Sequence, residues 1–282
     1  MSPIHDQSYR RYGGQRSALG RSWLVIAVAG IKTMIRKRVF LGLLLMSWMQ
    51  FLGRAIALWF AENVPQTAQL LAPSAETFRD FLDKQGFFVF VVTIYVGAGL
   101  IANDRRANAL QIYLSKPLLR TEYIAGKAAV LFAFLSLVTW IPALLLLLIQ
   151  VMFAGNFAFL KANLFLFPAI TVASLLQVLL ATFTMLALSS LSKSSRYVAI
   201  LYSGILFFSA ALYGAMFAIT GGSTSFAWLS LSANVSQVVD VIFRLPPRAT
   251  TPWQVSLIVI VGLIVLSISV LERRVRGVEV VT

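Results

Sequence analysis

Six apolar runs, at about residues 39–61, 84–102, 122–152, 164–191, 197–220 and 254–271, constrain this chain more than any other feature. Each approaches or exceeds the roughly 20 residues that carry an α-helix, rising about 1.5 Å per residue, through about 30 Å of hydrocarbon. Counted strictly from Phe87 to Ala102, the second run is the shortest, and it borrows Phe81 and Leu82 to reach that length. With 59% hydrophobic and 12% charged residues, and a mean hydropathy of +0.83, the apolar side chains are too many for one soluble core. The expected fold is an all-α, multi-pass integral membrane protein in which residues 39–282 form one six-helix domain. Pro142 and Pro168, inside or near the ends of their spans, predict kinks, because proline removes a helix hydrogen bond and clashes with the preceding turn.

Ahead of the first span, residues 1–38 divide in two. Residues 1–17 are polar, basic and glycine-containing, and read as a cytoplasmic tail. From Leu19 to Arg38, Arg21, Lys32 and Arg36 share one helical face while Trp23, Ile26, Ile31 and Met34 cover the rest, the pattern of an amphipathic helix in the interface. Trp23–Ile31 is too short to cross a membrane.

Basic residues set the orientation. With the N-terminus inside, the inner segments carry eighteen Lys and Arg and the outer ones carry five, Arg79, Lys84, Lys161, Arg244 and Arg248. The positive-inside rule then places both termini in the cytoplasm. The same distribution assigns the net charge of +14 to loops that face anionic lipid rather than nucleic acid.

Two outer segments, within about 63–83 and 221–253, carry helical patterns. Ser74 is a cap for a helix through Phe78, Phe81 and Leu82 that ends at Gly86, and Ser232 is a cap for one over Ala233–Leu245. The latter shows a stripe of Val235, Val238, Val239, Ile242 and Phe243, an Asp240–Arg244 pair at i, i+4, and a Pro246-Pro247 stop. It is either the cover of a pathway or a plain interfacial loop helix.

Much chemistry is excluded. Zero cysteines rule out disulfides and thiolate metal sites, and His5, the sole histidine, lies in the tail, away from any intramembrane Ser-His pair. Met46 and Met49 are the only clustered soft ligands, a pattern that belongs to lipid-facing or core positions. Gly126-Lys127 is followed by Ala128 and lacks the preceding glycine of a phosphate-binding loop, so the chain is no ATPase and needs no cofactor of its own. Arg54 is the one ionisable residue well inside a span. With Gln50 one turn before it, it either lines a polar path or reaches the outer headgroups beside Trp59 and Glu62. Gln177, Thr182 and Thr184 are weaker polar candidates on the fourth span.

Between the second and third runs lies the longest basic polar interruption, Asn103–Lys127. Leu110, Tyr113 and Leu114 recur at helical spacing, Pro117 stops that helix, and Thr121 with Glu122 opens the next. The run Ser115-Lys116-Pro117-Leu118-Leu119-Arg120-Thr121-Glu122-Tyr123-Ile124-Ala125-Gly126-Lys127, preceded by Asp104, resembles a pattern found after the second span in membrane subunits of ABC-2-type ATP-binding-cassette transporters. Where that family often has Gly-Thr before the leucines, this chain has Asn108-Ala109. The resemblance, which covers nearly the whole chain, implies an ABC-2-type exporter permease fold with an N-terminal elbow helix. It further implies a coupling helix at about 104–117, whose Asp104, Arg105, Arg106, Leu110, Tyr113, Leu114 and Pro117, with Arg120 and Glu122 beyond it, meet a separate ATPase subunit. The resemblance implies a second, smaller cytoplasmic contact at Lys193 and Arg196. ATP and Mg would be bound by that ATPase, and the other partners would be a second permease copy or homologue and membrane lipid, in a prokaryotic inner membrane. The residues leave open a non-ABC membrane protein, such as an ion-driven carrier or a structural anchor. Every acidic residue lies in a tail, a loop or a span end, however, whereas carriers bind cations at mid-membrane.

Overall fold

The computed structural model describes residues 22–64, 73–109, 119–155 and 158–275, and among them every regular element is helical. The tail, Arg21 and the centre of the 104–117 segment, with Leu110, Tyr113, Leu114 and Pro117, lie outside the described residues. Among the described residues, six stretches are long and apolar enough to cross a membrane: Arg38–Asn63, Ala75–Arg106, Arg120–Ala154, Leu166–Leu191, Ser195–Ile219 and Trp253–Arg274. The end that carries the basic loops is called inner below.

Helix α1, Ser22–Ile35, is separated from α2, Arg38–Asn63, by Arg36 and Lys37. It lies against α5, Arg120–Val138, at a distance that only glycine permits. A Cβ on Gly126 would come within 2.8 Å of the Trp23 carbonyl oxygen, and one on Gly30 within 2.6 Å of Val130 Cγ2. The outward side of α1 exposes Val25 and Val28 together with Lys32 and Arg36.

Helix α3, Ala75–Val92, overturns one expectation. It does not end at Gly86 but runs through it, since Phe78, Phe81, Leu82, Gln85, Val89 and Val92 form one buried stripe from end to end. Gly86 faces away from that stripe, with nothing within 4 Å of a Cβ built on it. A glycine in a helix costs about 1 kcal/mol relative to alanine, which burial of the stripe more than offsets. The helix then widens into a π turn, Thr93–Gly97, where a Cβ on Gly97 would meet Met185 Cγ at 2.4 Å. After a further turn, α4, Ala102–Arg106, leads to Asn108, whose φ of 52° ends it.

The third span breaks into α5 and α6, Trp140–Ala154, at Thr139. The break falls three residues before Pro142, whose missing amide removes the helical partner of the Val138 carbonyl, the last of α5. Thr139 Oγ1 donates to the Leu135 carbonyl at 2.9 Å and strengthens the corner. Pro168 makes no such break, because it sits in the first turn of α8, Leu166–Leu191, where amides lack intrahelical partners anyway. A short α7, Ala158–Ala162, connects the two spans.

Helix α8 is the central pillar, packed on α3, α5, α6, α9 (Ser195–Ile219), α10 (Leu231–Ile242) and α11 (Trp253–Arg274). Two apolar clusters stack along the bundle. The inner one contains Phe40, Tyr123, Leu131, Leu135, Met185 and Leu271, and the outer one Phe51, Phe78, Leu146, Ile170, Val239 and Phe243. Spans α2 and α9 bury the least, exposing Met46 and Met49 on one and Phe207 and Phe208 on the other.

Helix α10 also departs from expectation. It begins two residues earlier, capped by Ser230, whose Oγ accepts from the Ala233 amide at 3.3 Å, and not by Ser232. Asp240 does not pair with Arg244. Arg244, at φ 57°, takes the left-handed position after the helix, while the Leu245 amide bonds back to the Asp240 carbonyl and the Arg244 amide to that of Val241. That turn carries the Arg244 guanidinium over the Phe165 ring, 4.6 Å from its centre. Asp240 instead points inward, with Arg79 Nη1 at 3.3 Å and Arg248 Nε at 3.1 Å.

Candidate functional site

The inner ends of the second, third and fourth spans are knotted by polar contacts around the start of the 104–119 segment. Asp104 is half-buried, and its Oδ2 accepts from Tyr123 Oη at 2.7 Å and from Lys127 Nζ at 2.7 Å. Tyr123 and Lys127 are one turn apart on α5, so both reach the same carboxylate. Arg105 donates to the Ser190 carbonyl near the end of α8. Ser189 is wholly buried, and its Oγ accepts from the Ile101 and Ala102 amides at 3.1 and 3.0 Å while donating to the Ala98 carbonyl at 3.0 Å. One hydroxyl thus satisfies three backbone groups where the π turn gives way to α4. Sequence reasoning passed over Ser189, since a serine in an apolar span more often bonds to its own helix. The neighbouring Ser190, which bonds to Ala187 at 2.6 Å, does so.

On the far side of the segment, buried Glu122 accepts from the Leu119 amide through Oε2 at 3.3 Å. Arg106 and Arg120 are exposed. The second candidate contact, Lys193 and Arg196, flanks a tight turn in which Ser192 Oγ accepts from the Ser194 amide at 3.0 Å. Both cations are exposed there. Arg196 also lines an inner cavity of about 760 Å³ with Asp104 and Lys127. The structure therefore brings Asp104, Lys127 and Arg196 around one space, whereas Arg105 does not line it and is tied to the inner end of α8.

A second cavity, of about 540 Å³, lies between α3, α8, α9, α10 and α11. Its wall is largely apolar, with Phe87, Phe90 and Phe207, and Asp83 and Ser236 stand among its few polar lining groups. Gln177 and Thr184 also line it. Both are buried, and Gln177 Oε1 and Thr184 Oγ1 have no hydrogen-bond partner among the described residues. A space walled mainly by apolar side chains with few polar groups suits a largely apolar guest.

Gln50 and Arg54 line neither of these cavities. Both are half-buried on α2, and Arg54 has no ion-pair partner among the described residues. Glu62, two turns on, accepts from Gln150 Nε2 at 2.8 Å. Arg54→Lys and Arg54→Gln are therefore expected to unfold within about 0.5 kcal/mol of the parent in detergent. A larger loss would reveal an interaction that the single chain does not contain.

Compared with known proteins, the sequence matches no family model and no curated protein sequence.

Proposed function

We propose that this chain is the membrane subunit of an ABC-2-type ATP-binding-cassette exporter. It works as a pair of such subunits above separate ATPase subunits, with both termini in the cytoplasm of a prokaryote's inner membrane. The observation that supports this reading best is the polar knot at the root of the 104–119 segment. An element that passes movement from an ATPase to a membrane bundle needs a stiff attachment to several spans. Here Asp104 ties it to α5, while Arg105 and the Ser189-held turn tie it to α8. Arg106 and Arg120 remain exposed for a partner. The sparsely buried faces of α2 and α9 suit lipid and a second subunit. The apolar cavity with Gln177 and Thr184 suits a largely apolar cargo.

Affinity purification of the tagged chain from native membranes, followed by mass spectrometry and an ATP turnover assay, tests the proposal. The expected result is a copurifying chain that carries a Gly-x-x-x-x-Gly-Lys-Ser/Thr loop, with turnover that tracks the complex. A chain that purifies without such a partner and without turnover, yet remains active in its membrane, would overturn it.

A further inference from the structure

The inner cavity carries an excess of positive charge that no described residue neutralises. Its charged lining groups are Lys37, Lys127, Arg196 and Asp104. Asp104 is engaged by Lys127 and Tyr123. Lys37 and Arg196 have no carboxylate partner among the described residues. Lys37 is held with Nζ 5.7 Å from the centre of the Tyr95 ring, on the cavity wall. These cations come from three places in the chain: the turn after α1, the third span and the start of α9. Their meeting is thus a product of the tertiary fold and not of helical periodicity. Ser195, the first residue of α9, also lines the cavity, so the positive end of a 25-residue helix faces the same space. The remaining wall includes the apolar Val25, Ile26 and Ala29 of α1, and Val25 continues onto the exposed apolar side of that helix.

We infer that this cavity is a binding site for a phosphate-bearing anion, with Lys37, Lys127 and Arg196 as its ligands. The guanidinium of Arg196 presents paired donors to two phosphate oxygens, and the two ammonium groups close on the others. An anionic phospholipid satisfies both halves of the site, because its phosphate fills the cationic space while its acyl chains follow the apolar outer side of α1. The phosphate also competes with Asp104 for Lys127, so occupancy reaches the root of the 104–119 segment. The inference does not depend on the transporter reading.

The test uses the full chain in lipid nanodiscs made of phosphatidylcholine alone or with phosphatidylglycerol added. Lipid retained after re-extraction is counted by mass spectrometry, and thermal unfolding is followed in parallel. A Lys37→Gln, Arg196→Gln double variant removes two cavity cations. A Lys32→Gln, Arg36→Gln double variant removes the same charge from the exposed side of α1, outside the cavity. The parent is expected to retain phosphatidylglycerol and to be stabilised by it, with the cavity variant weakened by about tenfold or more and the control variant little changed. Stabilisation in phosphatidylcholine discs by millimolar inorganic phosphate, lost in the cavity variant, would support the site with a soluble anion as its source. Equal losses in the two double variants, or no response of the parent to either phosphatidylglycerol or inorganic phosphate, would overturn the inference.

Discussion

Arg79→Ala should destabilise the protein by about 3 kcal/mol at neutral pH, and adding Asp240→Asn should restore more than half of that loss. The Asp240 side chain is fully buried, and Arg79, itself only 14% exposed, stands on the first turns of α3 facing it. Arg248, from the loop beyond Pro246-Pro247, closes the other side and also binds Asp83. Removing one partner of a buried pair leaves an uncompensated charge at a cost of about 3–5 kcal/mol, and the lower figure applies because Arg248 remains. Burial pushes the Asp240 carboxyl above its ordinary value, Arg248 and Arg79 pull it back, and Asp83 adds to the rise, with burial prevailing. A carboxyl raised in the folded state binds its proton more tightly there than in the unfolded chain. Its contribution to stability is complete below the unfolded value and is lost as pH rises through the folded one. The Arg79→Ala variant should therefore regain stability as the medium is acidified, whereas the double variant should not. Unfolding in mixed micelles, followed by tryptophan fluorescence at neutral and acid pH, measures this. An undiminished loss in the double variant would show that Arg79 acts by packing alone. Since α10 walls the cavity that holds Gln177 and Thr184, this network fixes one side of that space.

Leu110→Ala combined with Tyr113→Ser should release the ATPase subunit from the purified complex while leaving the membrane bundle folded. This expectation rests on the transporter reading. A short docking helix binds through a few central apolar and aromatic anchors, each worth about 2–4 kcal/mol, while surrounding charges steer encounter. The flanks of the segment hold without those anchors, through Asp104 with Tyr123 and Lys127 on one side and Glu122 with the Leu119 amide on the other. Arg106→Ala should weaken association only in a salt-dependent way, as an exposed charge does. Copurification at low and high salt distinguishes these outcomes. Full retention of an active ATPase by the double variant would place the coupling surface elsewhere.

The six spans were legible because hydrophobic length is a one-dimensional property. Any run long enough to cross hydrocarbon must satisfy its backbone within itself, so helix follows from composition. The break near Pro142 was legible for a similar reason, being local backbone chemistry. Gly86 misled because its cost as a helix breaker is small beside the burial of the stripe around it, and only packing reveals which side of α3 is covered. Asp240 and Arg244 misled for a related reason. Spacing of four residues permits a pair, but the turn after α10 carries Arg244 to Phe165, and Arg79, far away in sequence, takes the carboxylate.

The sequence by itself determined an all-helical chain with six apolar segments long enough to span a membrane, and a polar, basic stretch between the second and third. Periodicity, charge and proline act over one or two turns and need no knowledge of neighbours. Only the tertiary structure decided that Ser189 holds the turn at the head of that stretch, that Gly126 and Gly30 admit α1 against α5, and that Lys37, Lys127 and Arg196 share one cavity. Each of these joins residues far apart in the chain. Such contacts depend on how apolar helices of nearly equal hydrophobicity choose their partners, a choice made by shape and by the few polar groups that must find one another.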